Sequence, residues 1–327
     1  MCDETIAKIF TINNATDFEL MALAVFQYQY QHNKVYRQWC QLIGVDVQQI
    51  QHSTQIPFLP ISFFKTHIVT TTTFTPATIF ESSKTTGAQS SKHFIKDVQL
   101  YEQSFLQAFE MFYGNTKDWC FIGLLPSYLE RNNASLVYMV QTLIAQSNIA
   151  ASGFYLHDLD KLYTTLQQLE VNKQPTILFG VTFALLDFAE KYSLPLQHTI
   201  VMETGGMKGR RAEQTRLEVH QLLQESFATQ QIHSEYGMTE LLSQAYAKEN
   251  GQYFCAPWMK VFVRNEDDPL QVKTTGKGVL NIIDLANIHS CSFIATDDVG
   301  TIQKDGSFEV HGRIDNSDIR GCSLMVV

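Results

Sequence analysis

At 327 residues, 45% hydrophobic and 12% aromatic, the chain is long enough to bury a sizeable core as one large domain or two closely packed ones. A formal net charge of −9 argues against nucleic acid as the main partner, since no positive field tracks a phosphate backbone; small anions held by local loops stay open. Six cysteines without a Cys-x-x-Cys pair argue against zinc and against a disulfide framework, and the lack of a secretion signal or an apolar run of about 18 residues predicts a cytoplasmic protein without a membrane span.

In chain order, residues 16–44 predict one long helix, capped near Thr16 or Asp17, with Phe18, Met21 and Val25 on its apolar face. A proline-punctuated stretch, 56–67, leads into a threonine-rich β segment around Thr70–Thr73. Residues 120–128 read as a buried strand and 134–147 as a helix. Strands at 175–180, 198–206 and 232–237 then alternate with helices at 181–193 and 211–228, the pattern of βαβ units and a parallel sheet. From about residue 250 the helical signal fades, and 278–285, 291–302 and 307–315 read as short strands. The expected class is α/β, with mixed or parallel sheets, flanking helices and a β-rich C-terminal part, divided into 1–250 and 251–327.

Four segments are candidates for chemistry. "SSKTTG", residues 82–87, is not a Walker A loop, yet its hydroxyls and Gly87 suit a phosphate cradle; an ordinary surface turn has the same composition. "ETGGMKGRR" leaves a strand at the edge where parallel sheets gather ligands, and Gly205 and Gly206 admit close approach, unless this is a solvated connection. "HSEYGMTELLSQ" offers Tyr236 for stacking, Thr239 for phosphate and Glu240 as a hard oxygen for Mg²⁺. In "ATDDVG" the adjacent acids Asp297 and Asp298 suit a ribose diol or a plain turn.

The order and spacing of residues 82–87, 236–240, 296–298 and 312–315 resemble the adenylate-forming superfamily, which activates carboxylic acids with ATP through an acyl-AMP. "FLPISFFKTH", "LLPSYLERNNASLVYM", "ETGGMKGRR", "HSEYGMTEL" and "RGCSL" are similar to one branch, the LuxE-type acyl-protein synthetases of fatty acid reductase systems. The resemblance implies the large-domain fold of that superfamily, with 1–250 as the adenylation core. It places Ser83, Thr85, Thr86 and Gly87 on the pyrophosphate end of ATP, and Gly205 and Gly206 along adenine and the acyl carboxylate. It further puts Tyr236, Gly237 and Met238 at the nucleotide, Thr239 at the α-phosphate, Glu240 on Mg²⁺, Asp298 on the ribose, and Arg313 on ribose or phosphate.

Two departures accompany it. Lys84 stands where the family loop carries glycine, and no separate small C-terminal domain is expected after the GRxD segment. Attention therefore falls on Cys322, which the resemblance implies as the residue that takes the acyl group as a thioester, with Arg320 nearby to favour the thiolate; by itself it reads as a small apolar residue packing a terminal strand. The implied partners are a fatty or other hydrophobic acid and an acyl-accepting protein. A coenzyme A or carrier-protein ligase is the neighbouring possibility, and a non-catalytic nucleotide- or acyl-binding subunit the distant one. The aromatic run at 177–188 suits an acyl pocket or ordinary core. Lys92 and His93 are further candidates for carboxylate or phosphate contact, the blander expectation being solvent-facing residues at a helix start.

Overall fold

The computed structural model describes residues 3–83, 89–126, 133–205, 214–265 and 268–314. The chain begins with helices α1 (Asp3–Ile9), α2 (Ala15–His32) and α3 (Lys34–Leu42). The long helix expected over 16–44 is thus two helices, and its cap is Asn14, which accepts from the Asp17 amide at 2.9 Å. The break falls at Asn33, which takes extended backbone. Its buried side chain accepts from the Tyr36 amide at 3.0 Å and donates to the Ser290 carbonyl at 2.9 Å. Satisfying that buried amide outweighs continuing the helix.

Strand β1 (Leu59–Pro60) and the single turn α4 (Phe63–Thr66) follow. The threonine run at 70–73 is irregular, not β structure. Thr71 Oγ1 donates to the Ser290 carbonyl at 2.6 Å, and Thr72 sits at a left-handed φ of 69° with its amide on the His32 carbonyl. These groups are spent on tertiary contacts instead of a ladder. Regular pairing starts later, in the antiparallel hairpin of β2 (Thr78–Glu81) and β3 (Lys92–Ile95).

After α5 (Val98–Tyr113) the alternation expected from sequence appears. It runs through β4 (Cys120–Leu124), α6 (Ser135–Gln146), β5 (Gly153–Phe154), α7 (Leu159–Val171), β6 (Thr176–Val181), α8 (Thr182–Lys191), β7 (Thr199–Thr204), α9 (Arg216–Phe227) and β8 (His233–Tyr236). These strands are parallel in the order β5-β4-β6-β7-β8. Every residue of β4 and β6 is buried, as a parallel strand covered on both faces requires. Helix α9 starts at Arg216 rather than near residue 211. Thr215 and Glu218 cap it reciprocally, with Thr215 N on Glu218 Oε2 at 2.7 Å.

The C-terminal part is β-rich, as expected: β9 (Ala245–Ala247), β10 (Tyr253–Cys255), β11 (Met259–Arg264), β12 (Val272–Lys273), β13 (Gly276–Asp284), β14 (Phe293–Ile302) and β15 (Phe308–Arg313). These strands extend the same sheet antiparallel in the order β8-β9-β10-β15-β14-β13-β11-β12, and β1 joins β14 in parallel. The end of β8 lies beside β14 and β15, where the third and fourth candidate segments meet. Among the described residues no helix is long and apolar enough to cross a membrane.

Candidate active site

The hairpin β2–β3 carries the first candidate segment at its tip. Its base is closed by Ser82 N on the Ser91 carbonyl at 3.1 Å and Ser91 N on Ser82 Oγ at 2.9 Å. Ser83 is exposed at this rim; Lys84, Thr85, Thr86 and Gly87 lie outside the described residues. Lys92 and His93 are not at a helix start. Both belong to β3, where Lys92 faces out and pairs with Glu81 at 3.6 Å. His93 points inward and is 1% exposed, with Nδ1 2.8 Å from the Thr239 carbonyl and its ring edge-on to Phe64. A carbonyl only accepts, so Nδ1 carries the proton. Burial pushes the imidazole down to about 4 and keeps it neutral, the Thr239 hydrogen bond opposing in part.

The second segment leaves β7. Gly205 has a φ of +52° and open space where a side chain would stand, while Gly206 to Arg211 lie outside the described residues. Immediately before it, Glu203 is buried beneath the sheet edge. It takes a hydrogen bond from the Thr182 hydroxyl and lies 4.0 Å from His220 Nε2. Burial alone would raise this carboxyl; the hydrogen bonds from His220 and Thr182, with the fields of His220 and Arg216, hold it below its ordinary value.

The third segment ends β8 and turns. Tyr236 is buried, its ring edge-on to Phe308 at 5.5 Å and tilted against Tyr253 at 5.8 Å. Gly237 is exposed, and Met238 and Thr239 are half-buried. A Cβ at Gly237 would lie 2.5 Å from Oε1 of the buried Glu235 side chain. Glu235 Oε2 accepts from Thr204 Oγ1 at 2.9 Å; burial, then the nearby Glu203 charge, raises its carboxyl to about 7, Thr204 opposing.

Glu240 is buried at the end of the turn. Burial raises its carboxyl, while a hydrogen bond from the Ser91 side chain opposes the rise. Asn287 Nδ2 donates to the Glu240 carbonyl at 2.7 Å. Asp284, fully buried, accepts from the amides of Leu242 and Ser243 at 2.7 and 3.0 Å and from the Ser243 hydroxyl at 2.6 Å. Main-chain groups on both sides of Glu240 are thus held by side chains of other elements.

The fourth segment completes the site. Asp298 on β14 is 5% exposed: Oδ2 accepts from the Tyr236 hydroxyl at 2.7 Å and Oδ1 from Arg313 Nε at 3.0 Å, Asp298 and Arg313 being register partners of β14 and β15. Asp297, half-buried, uses its carbonyl to accept from the Ile314 amide at 2.8 Å. Tyr236, Asp298 and Arg313 therefore meet, as do Glu240, Thr239 and the base of the hairpin.

Cys322 and Arg320 lie outside the described residues. The aromatic run at 177–188 is core: β6 is buried throughout and Leu185 packs directly over Gly180. Sequence reasoning overlooked Glu235, Asp284 and Asn287. Glu235 was visible inside its motif, but the other two carry no local signal, because their partners are 42 and 47 residues away.

Chemically, the described residues offer one buried carboxylate among hydrogen-bond donors at Asp298, and a second at Glu240. Asp298 can accept from a diol while Tyr236 and Arg313 keep it oriented. Glu240 suits Mg²⁺, which is bound through one or two carboxylates together with phosphate oxygens and water. Among the described residues there is no cluster of three or more His, Cys, Asp or Glu that would form an all-protein metal cage.

The sequence profile of the family described as acyl-protein synthetase, LuxE, matches residues 13–327. A long-chain-fatty-acid–luciferin-component ligase from Vibrio harveyi is 21% identical over 325 residues, covering 91% of this chain and 84% of that protein. Among solved structures, ATP-bound MatB from Rhodopseudomonas palustris is similar with a TM-score of 0.52 and 17% identity, over 72% of this chain and 47% of that one. The ATP-bound chimera RpMatB-BxBclM B3 gives 0.54 and 18% over the same shares. This chain spans about half the length of those two structures, and the likeness to them is one of fold, that of adenylate-forming enzymes.

Proposed function

Because the chain belongs to the LuxE acyl-protein synthetase family and has the adenylate-forming fold, we propose that it activates a fatty acid with ATP, loads the acyl group on Cys322 and passes it to a partner protein. In the first step a carboxylate oxygen attacks the α-phosphorus, the bond to the bridging oxygen breaks, and pyrophosphate leaves with acyl-AMP remaining. In the second the Cys322 thiolate attacks the acyl carbonyl and AMP departs with the bonding electron pair. Transfer to the partner repeats that exchange on the thioester.

The observation that carries this reading is the convergence of Tyr236, Asp298 and Arg313. They are three motif positions from β8, β14 and β15, joined by hydrogen bonds of 2.7 and 3.0 Å around one buried carboxylate. Asp298 holds the ribose hydroxyls, Thr239 reaches the α-phosphate, and Ser83, Thr85, Thr86 and Gly87 receive the β- and γ-phosphates. Gly205, Gly206, Gly237 and Met238 border adenine and the acyl carboxylate. Glu240 holds Mg²⁺, which when bound neutralises charge on the phosphate oxygens. Positioning and charge neutralisation carry the first step, and the protein forms no bond to substrate until Cys322 acts. The cytoplasm is the proposed setting; Cys40, Cys120, Cys255 and Cys291 are all free thiols, in keeping with a reducing compartment.

The test is to incubate the protein with ATP, Mg²⁺ and a panel of fatty and aromatic acids, reading pyrophosphate and intact mass, with Cys322→Ser in parallel. The expected result is an acyl mass gain lost in the variant while pyrophosphate release persists. Pyrophosphate without any covalent product identifies an external thiol as acceptor. ATP binding without turnover on any acid identifies a nucleotide-binding subunit.

A further inference from the structure

The proposed site is assembled from two units that do not adjoin in sequence: the β2–β3 hairpin, which presents the phosphate loop, and the turn carrying Thr239 and Glu240. Their relative placement decides whether phosphate donors and the metal carboxylate fall on the same triphosphate. On its far side the turn is anchored to the end of β13 by Asp284 and Asn287. On its near side the turn is tied to the hairpin by His93 on the Thr239 carbonyl, 146 residues away.

His93 lies two residues beyond Ser91, the residue that closes the loop base. Its ring has a definite place: a 2.8 Å hydrogen bond at Nδ1, an edge-to-face contact with Phe64 on α4, and almost complete burial. It cannot touch substrate from there. A displacement of β3 against this hydrogen bond would move the hairpin base at Ser82 and Ser91 relative to Thr239.

We propose that His93 is a positioning residue that sets the distance between the base of the β2–β3 hairpin, at Ser82 and Ser91, and the Thr239–Glu240 turn, and thereby the affinity for Mg·ATP. This rests on the function proposed above. Asparagine presents its amide N–H near the position of Nδ1, whereas glutamine presents it nearer that of Nε2, and leucine fills the space without a donor. The three substitutions therefore separate the hydrogen bond from simple filling.

The experiment measures KM for ATP, kcat for acid-dependent pyrophosphate release, and Tm for the full chain and for His93→Asn, His93→Gln and His93→Leu. All three variants lose some thermal stability. His93→Gln and His93→Leu are expected to raise KM for ATP about tenfold, the order of one lost hydrogen bond, with kcat changed less than about threefold, and His93→Asn to stay within about threefold of wild type. A KM for ATP unchanged in all three, or raised equally in all three in step with Tm, overturns positioning and leaves His93 as packing. Wild-type protein that neither binds ATP nor releases pyrophosphate overturns the functional reading and this inference together, whereas normal wild-type turnover with an unaffected His93→Gln removes this inference alone.

Discussion

The Tyr236 hydroxyl donates to Oδ2 of Asp298 at 2.7 Å across 62 residues of sequence, and both groups are nearly sealed from solvent. Of the two adjacent acids in "ATDDVG", the second is thereby the one aimed at the end of β8. Tyr236→Phe removes one donor and keeps the ring packed on Phe308 and Tyr253. It should raise KM for ATP about fivefold, the effect of roughly 1 kcal/mol, with little change in Tm. Asp298→Asn leaves Arg313 without its anion and replaces an acceptor by a donor, so its KM should rise by more, at least about tenfold. Steady-state kinetics on both variants decides, and equal KM values for Asp298→Asn and wild type would remove Asp298 from the ribose.

Glu235 makes a pH prediction of definite sign. Burial pushes its folded carboxyl up to about 7 from the ordinary glutamate value of 4.5, so between those values the folded state holds a proton that the unfolded chain has released. Stability from this group is complete below about pH 4.5 and is lost as pH rises towards 7, up to the order of 3 kcal/mol. His93 and His233, both lowered to about 4, act in the opposite sense: their contribution is complete above about 6.5 and is lost as pH falls towards 4. A wild-type curve therefore mixes the two. The difference between wild type and Glu235→Gln isolates the first: glutamine should gain Tm relative to wild type as pH increases from 5 to 8.

Gly237 tests how firmly that carboxylate is placed. A methyl group there meets Glu235 Oε1 at 2.5 Å, inside van der Waals contact, so the buried carboxylate must shift. Gly237→Ala should destabilise by about 1–3 kcal/mol, as overpacking does, visible as a lowered denaturant midpoint. Trimming the obstacle in Gly237→Ala/Glu235→Ala should recover part of that loss. A double variant no better than the sum of the two singles would place the strain elsewhere.

These residues also show where sequence reading reaches and where it stops. Strands such as β4 and β6 were legible because a parallel strand buried on both faces must be an unbroken apolar run, and their neighbours follow by alternation. The four motif segments were legible because glycine, hydroxyl and acid residues stand at strand ends. The helix break at Asn33 was not, since what decides it is a carbonyl 257 residues away, at Ser290. The threonine run failed for the same reason: β propensity at Thr71 and Thr72 is local, and the Ser290 and His32 carbonyls that win them are not. His93 looked like a surface residue because a lone histidine beside a lysine gives no sign of the buried carbonyl it meets.

Glu240 separates function from stability. Burial raises its carboxyl, so the charge proposed to hold Mg²⁺ is kept against a desolvation cost that Ser91 relieves in part. A neutral side chain of the same shape avoids that cost. Glu240→Gln should therefore melt at or above the wild-type temperature in the absence of nucleotide, near pH 8 where the wild-type group is most fully charged. The same variant should need about tenfold more Mg²⁺ for half-maximal pyrophosphate release, since an amide oxygen is a weaker ligand for a hard cation. A stability gain with an unchanged Mg²⁺ requirement would leave Glu240 a buried acid outside the metal site. A stability loss would mean that the anion is needed to hold Ser91 and the hairpin base, whatever its part in catalysis.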